Sequence, residues 1–418
     1  MLNIKKGMLS LLVLLAGLQY VSGQTVMPLD RILDEVDHQN QNLKAFTNRE
    51  QGLSAKSEGA RAQMAPMVGG GLYMTPYPAQ TVMDGRDRGA YMVSLEQDIT
   101  NPVKLKRKQA YEKSLGAVEI EGRNVAYNEL RTQAKKLYYQ WLVASKKLQL
   151  LKENEQILTT LHKLAKIRYP YNKATLSSVY SAEGKLAEVQ NMQLMVNADI
   201  RKKMYQLNTL MNRPASESFE IDTAYRPVFT PLALADTAYL GQSRSVIRQM
   251  DKNINSMRLD ILAMKAEAKP DFKFRLDNMF NKDPMMPAQF TGMVMVSIPI
   301  APWSSKMYKS EVKSMQYNVA AMRNEREAML VETQNMVSTM LSDVLTMKSQ
   351  LNNYEGKILP ALKKSFEANN IAYEENRLDL PQVIVSWEAL NMNKMSYLDE
   401  LQGYYLMIAD YEKEIEKK

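Results

Sequence analysis

Tyr169-Pro-Tyr-Asn172-Lys-Ala-Thr175-Leu176-Ser-Ser-Val179 and Tyr373-Glu-Glu-Asn376-Arg-Leu-Asp379-Leu380-Pro-Gln-Val383 are one passage written twice. Tyr, Asn, a basic residue, Leu and Val recur at an offset of 204. Repeats are sought first because missing one misassigns the fold. Outward from the two passages the same order of features recurs. A long polar-rich helical stretch leads into each, and a return helix leaves it, at about 175–212 and 379–416. Before each long helix stand two short alternating segments, and before those an amphipathic helix, Met27–Met64 and Leu232–Ala268, running to Pro66 and Pro270.

The alternating segments read as four strands, at about 66–76, 90–100, 270–280 and 290–300. In the second, Tyr91, Val93, Leu95 and Ile99 alternate with Met92, Ser94, Glu96 and Asp98; in the third, Phe272, Phe274 and Leu276 alternate with Lys273, Arg275 and Asp277. Such a period of two gives each strand an apolar face and a wet face. Gly69-Gly70-Gly71 in the first strand points to close packing or a bulge. The long helices, about 103–164 and 304–370, carry heptad seams: Leu130, Ala134, Leu137, Trp141, Ala144, Leu148 and Leu151 step 4-3-4-3-4-3. About 60 residues of helix span ~90 Å at 1.5 Å per residue, so helices of this kind must lie along one another.

The first 23 residues read as a secretory signal: Lys5 and Lys6, an apolar Met8–Leu18, then Val21-Ser22-Gly23 before a cut that leaves Gln24 or a neighbour first. No cysteine exists, which excludes disulfides, thiolate metal sites and a lipid anchor on cysteine. The domain reading is a first repeat over 24–213, a linker over 214–231 and a second repeat over 232–418. The net charge of +8 becomes +6 without the signal, and the excess reads as solvated helix faces rather than a nucleic-acid surface. No run after the signal could be a transmembrane helix, so a membrane could be crossed only by strands. Four strands cannot close a barrel, since single-chain barrels start at about 8. In a membrane several copies would therefore share one wall, and three would give twelve strands and a lumen. Glu96, Asp98, Lys273, Arg275 and Asp277 on the wet faces fit a water-filled interior.

The duplicated order resembles the outer-membrane efflux channel (TolC-type) family over nearly the whole mature chain. Arg168-Tyr169-x-x-Asn172-x-x-Thr175 with Val179, and Tyr373-x-x-Asn376-x-x-Asp379 with Val383, stand where that family has a Tyr-x-x-Gly turn motif. Leu207-Asn-Thr-Leu210-Met211-Asn212-Arg-Pro214 resembles the family's end of the first return helix. Asn172, Asn376 and Asn212 replace glycines, and Asn is the residue that best tolerates a left-handed cap after Gly. The resemblance implies a mainly α fold with a small β portion. Each chain would give four strands to a shared trimeric transmembrane β-barrel continued by a periplasmic α-helical barrel. It implies a homotrimer in the outer membrane of a Gram-negative bacterium, in contact with lipid, a periplasmic adaptor and a proton-driven inner-membrane pump. It places Tyr169, Asn172, Thr175, Leu176, Tyr373, Asn376, Asp379 and Leu380 at the periplasmic tip, as adaptor dock and gate; that these residues only cap and reverse the helices is the plainer alternative.

Catalytic constellations are missing. His38 and His162 are the only histidines and read as surface helix residues. No phosphate loop occurs, and Ser310-Glu-Val-Lys313 lacks the companion motifs of a Ser-x-x-Lys enzyme. No cofactor, metal site or nucleic-acid partner is expected. Met315, Met322, Met329 and Met336 recur every seven residues, with Met340 and Met347 beyond and Met285-Met286 in a hairpin loop. Seam packing accounts for that stripe, and a soft-metal pathway is the sharper alternative. The functional expectation is a passive exit duct of a tripartite efflux pump, with a type I secretion duct or a non-membrane coiled-coil scaffold as rivals.

Overall fold

The computed structural model describes residues 26–232 and 236–416. The signal-peptide reading over 1–23 lies outside them. In chain order the elements are β1 (Val26–Met27), α1 (Leu29–Gln39), α2 (Gln41–Gly59), β2 (Met67–Tyr73), β3 (Ala90–Ile99), α3 (Pro102–Arg168), α4 (Leu176–Leu210) and β4 (Glu220–Ile221). The second half repeats the order as α5 (Thr237–Ser243), α6 (Ser245–Ala266), β5 (Phe272–Asn281), β6 (Gln289–Val296), α7 (Pro302–Asn353), α8 (Leu359–Glu374) and α9 (Leu380–Ile415). The expected mainly α, duplicated architecture is therefore what the chain adopts. No helix among the described residues is long and apolar enough to cross a membrane.

Two expectations need correction. The helices read as Met27–Met64 and Leu232–Ala268 are each broken, at Asn40 (φ −63°, ψ 124°) and at Arg244 (φ −77°, ψ 122°), which are themselves 204 apart. Each break holds the end of its own return helix. The Asn40 amide donates to the Leu210 carbonyl at 2.9 Å, and Arg244 pairs with Glu414 at 2.7 Å. These helices also stop at Gly59 and Ala266, short of Pro66 and Pro270. The helix read as 304–370 is not uniform: Tyr354–Ile358 forms a π-turn in which the Leu359 N–H reaches the Tyr354 carbonyl. Pro360 explains it, because proline offers no N–H and its ring crowds the carbonyl four residues back. Widening the turn relieves both problems.

The chain divides into two compact units, each drawing on both repeats. Among the described residues the first comprises 26–41, 128–232 and 339–413. Its core gathers Tyr138, Tyr139 and Leu142 of α3, Ile32 and Val36 of α1, Leu207 of α4 and Tyr405 and Ile408 of α9. The seam residues Ala134, Trp141, Ala144 and Leu151 are buried as their heptad spacing requires. Antiparallel α3 and α9 are set in register by Lys135–Glu412 and Lys136–Asp410, both at 2.6 Å, and Lys147–Asp399 at 2.5 Å. Between these helices the buried Asn154 accepts a hydrogen bond from Trp387 Nε1 at 3.2 Å and donates one to Asn391. A buried polar trio of this kind fixes one register, since a slip would strand its groups without partners.

Among the described residues the second unit comprises 42–127, 236–338 and 414–416 and contains the antiparallel sheet β2-β3-β5-β6. Its helical core packs Ile254 and Ile261 of α6 on Val319 of α7, with Met315 and Met322 beside them and Met329 against Leu240, Ile247 and Leu330. Those three methionines are seam packing. In the first unit, Met347 packs into the core and touches Gly403. At the junction of sheet and helices the buried Lys104 ammonium bonds Asp271 at 2.5 Å and Glu267 at 3.1 Å. Gln63 and Thr100 exchange reciprocal bonds at 2.9 and 3.1 Å. These contacts tie α2, α3 and α6 to the strands they adjoin.

Candidate functional site

Within the second unit the register sets opposite Glu96 the guanidinium-bearing Arg275, opposite Asp98 Lys273, and opposite Ser94 Asp277. All six share one face. Lys273 pairs with Glu96 and, at 3.7 Å, with Asp98; Arg275 pairs with Asp277 at 3.0 Å and Glu96 at 3.9 Å. The five residues assigned to the wet face from sequence are thus brought together as one ion-paired band. Met293 and Met295 of β6 and Met67 of β2 continue the same face through their pairing with Arg275, Lys273 and Glu96. Gly69 belongs there too: a Cβ on it would stand 2.8 Å from the Ser94 hydroxyl, so this glycine serves close strand packing. The ladder runs through it without a bulge.

The opposite face is apolar and uncovered. Val68, Leu72, Val93, Phe274, Phe290 and Val294 are 74%, 61%, 48%, 41%, 77% and 70% exposed. β2 and β6 each pair on one side only, so the sheet has two open edges. A soluble protein rarely leaves a contiguous apolar face of that size bare, and it blunts its open edges. The arrangement suits a wall segment whose outer face meets an apolar medium and whose edges meet further strands.

Within the first unit both reversals are built alike. Asn172 and Asn376 adopt left-handed φ of 56° and 58°. The Asn172 N–H donates to the Tyr169 carbonyl at 3.1 Å and the Lys173 N–H to the Arg168 carbonyl at 3.1 Å; Asn376 to Tyr373 and Arg377 to Ala372 repeat the pattern at 3.0 and 2.8 Å. This is the Schellman arrangement, which satisfies carbonyls that a helix end leaves open. Asn212 ends α4 the same way, with φ 58° and bonds to Thr209 and Asn208. The return helices start on paired caps. Thr175 Oγ1 accepts the Ser178 N–H at 3.1 Å, and the Asp379 N–H donates to Gln382 Oε1 at 3.2 Å.

The two turns differ in cover. Tyr373 and Leu380 are each 2% exposed, whereas their counterparts Tyr169 and Leu176 are 45% and 44% exposed. Tyr373 and Leu380 lie among Leu161, Ala165, Val179 and Val383. Arg168 closes over them: its guanidinium sits 4.4 Å above the Tyr373 ring and donates to the Tyr373 and Glu374 carbonyls at 2.8 and 3.0 Å. Burial pushes the Tyr373 phenol above its usual range, and the nearby Arg168 cation only partly offsets it. Around this contact lies an open cavity of about 590 Å³ to which Tyr169, Asn172, Thr175, Tyr373, Asn376, Asp379 and Leu380 all contribute. Seven of the eight sequence-assigned tip residues are therefore neighbours, with Leu176 outside the cavity lining, although capping alone accounts for Asn172, Thr175 and Asn376. In the sequence Arg168 is only one letter of the turn motif. Its role has no signal in the repeat, because the residue 204 further on is Ala372.

Among the described residues no cluster of His, Asp or Glu could hold a metal ion. His38 is exposed; His162 is half-buried, with Nε2 shielded, rather than a surface residue.

Solved structures share this fold. The chain aligns with CusC, whose structures concern folding and transmembrane channel formation, at TM-score 0.75 and 12% identity over 93% of this chain and 91% of that one. The open-state MtrE outer membrane channel of Neisseria gonorrhoeae gives TM-score 0.74 and 13% identity over 93% and 88%. The outer membrane protein VceC of Vibrio cholerae gives 0.70 and 14% over 93% and 95%. No family model and no curated relative matches the sequence. At such identity the likeness is one of fold: the chain has the fold of TolC-type outer-membrane channel subunits, the architecture that its duplicated pattern implied.

The capping geometry makes a direct prediction. Replacing Asn172 or Asn376 by Gly keeps the left-handed cap and leaves the thermal midpoint unchanged or slightly raised. Replacing either by Val forces a β-branched residue into that region and costs about 1–2 kcal/mol per site. Thermal melts followed by circular dichroism test this, and equal midpoints for the Gly and Val variants would contradict the assignment.

Proposed function

We propose that this chain is one subunit of a trimeric outer-membrane duct of a Gram-negative bacterium. In it, three four-stranded sheets close a twelve-stranded barrel around water and the helices continue the passage into the periplasm. The duct does no chemistry: it is the passive exit of a tripartite efflux pump, joined through a periplasmic adaptor to a proton-driven inner-membrane pump. The observation that carries the reading is the sheet, with one face ion-paired and wet, the other apolar and bare, and both edges unpaired. In lipid each unpaired backbone group at an open edge costs several kcal/mol, so closure by sister strands is the stable state. On the wet face three carboxylates meet two cations, which nearly neutralises the lining and suits a conduit that leaves selection to the pump. The cavity around the two turns, with Tyr169 and Leu176 exposed, supports their assignment as docking and gating tip.

The test is to express the full chain with its signal and fractionate the envelope. The expected result is a heat-modifiable trimer in the outer membrane that conducts ions in planar bilayers. A monomer that stays dissolved without detergent would sink the reading.

A further inference from the structure

The positive charge of the chain reads as scattered along solvated helix faces, but part of it is dense at the start of both long helices. Residues 102–113, the first three turns of α3, hold five basic side chains and one acidic; residues 302–313, the first three turns of α7, hold three and one. Pro102 and Pro302, Lys106 and Lys306, and Lys113 and Lys313 correspond at an offset of 200. Lys106, Arg107, Lys108 and Lys113 on α3, and Lys306, Lys309 and Lys313 on α7, are all exposed. None of them has a carboxylate partner among the described residues, in contrast to the buried Lys104 beside them.

This arrangement works against the helices that carry it. A helix N-terminus bears partial positive charge and favours acidic side chains, yet neither α3 nor α7 has one in its first turn. At α3 the Asp271 carboxylate accepts from the Asn101 N–H and from Lys104, but it pairs with none of the four exposed cations; a local rule broken twice at matching positions points to a role. The other end of the sheet is different. Its connecting loops carry Arg86, Arg88 and Lys282 against Asp84, Asp87 and Asp283, a neutral set in which Arg88 and Asp283 pair at 3.5 Å. Between the end of β6 and Lys306 lie Ile298, Ile300 and Trp303, at 70%, 67% and 83% exposure, and Met307, at 81%, stands among the lysines. Ile298 continues the alternation of the apolar face of β6, and Trp303 and Met307 lie on the side of α7 turned away from buried Ser305 and Val319. The order along the chain is apolar strand, exposed Trp, unpaired cations.

We infer that these residues form a basic collar that binds anionic phospholipid headgroups in the leaflet on the helix side of the sheet. The inference rests on the sheet lying in a membrane. Lysine and arginine beside an apolar segment are drawn to phosphate-bearing surfaces, and an indole settles at the boundary between headgroups and acyl chains. Neutralising phosphates also remove the repulsion among the seven cations and their conflict with the helix dipoles.

The experiment uses the purified full chain with phosphatidylcholine vesicles and with vesicles that also contain phosphatidylglycerol, and insertion is read by flotation. The native chain enters the anionic vesicles at least about tenfold better at low salt, and the advantage fades as salt screens it. A variant combining Lys106→Gln, Arg107→Gln, Lys108→Gln, Lys306→Gln and Lys309→Gln loses the advantage while entering phosphatidylcholine as the native chain does. A second variant, Lys106→Arg, Lys108→Arg, Lys306→Arg and Lys309→Arg, keeps it. A neutralised variant that retains the preference for phosphatidylglycerol overturns the collar and leaves the channel standing. So does one whose only change is in the ion selectivity of the pore, which would place the cations on the water path. A native chain that enters neither kind of vesicle overturns the channel reading itself.

Discussion

Leu276→Arg prevents the chain from entering a membrane, whereas Thr291→Arg does not. Leu276 lies midway along β5 on the apolar face, paired with Leu95 on one side and Gly292 on the other. Thr291 lies on the wet face, opposite Asp277. An arginine facing lipid near the bilayer midplane costs about 2–4 kcal/mol. The proposed trimer would carry the change three times, so the assembly would lose roughly 6–12 kcal/mol, enough to abolish it. At Thr291 the added guanidinium meets water and the Asp277 carboxylate. The expected outcome for Leu276→Arg is loss of the heat-modifiable trimer and of conductance, with the helical signal in circular dichroism kept. If the sheet belonged to a soluble scaffold, Leu276 would be an ordinary half-exposed surface position, and the substitution would change stability by no more than about 0.5 kcal/mol. The two readings therefore differ by an order of magnitude at one residue, and matched insertion of both variants would decide for the scaffold.

The parts of the fold that the sequence disclosed are those where physics repeats itself at short range. Alternation placed Glu96, Asp98, Lys273, Arg275 and Asp277 on one face because a strand offers only two faces. Asn172 and Asn376 announced their turns because few residues accept a left-handed φ. The kinks at Asn40 and Arg244 were hidden: each interrupts an amphipathic pattern by a single extended residue, and the two use different chemistry to hold the helix end. The π-turn at Tyr354–Ile358 had a visible cause in Pro360, but a proline in a long helix can kink, break or widen it, and the choice depends on tertiary packing. Burial at the tip was illegible for a different reason. Tyr169 and Tyr373 occupy equivalent positions and have opposite exposure, which only the neighbouring helix decides. The collar shows the reverse failure: all its lysines were in view, yet a net charge says nothing of which cations lack partners.

Arg168→Ala loosens the tip. Arg168 joins the end of α3 to the end of α8 with two charge-assisted hydrogen bonds and a stacked ring, a clasp the second half cannot repeat because Ala372 stands at the equivalent place there. Hydrogen bonds to a charged donor contribute about 1.5–3 kcal/mol each and a partly buried cation–π contact about 1–2 kcal/mol. Losing the clasp costs roughly 3 kcal/mol per chain once water resolvates the freed carbonyls. The Schellman bonds at Asn172 and Asn376 are untouched, so both helices still end where they do, and the global melting midpoint moves little. What changes is local: amides of residues 169–180 and 373–384 exchange faster by about a hundredfold, the equivalent of 3 kcal/mol. If the tip gates the duct, conductance in the resting state rises with it. Arg168→Lys retains charge but cannot reach two carbonyls while lying flat on the Tyr373 ring, and it falls between the two. Faster exchange with unaltered conductance would mean that the clasp is structural and the constriction lies elsewhere. Unaltered exchange would mean that the buried cluster around Tyr373 and Leu380 holds the tip without Arg168.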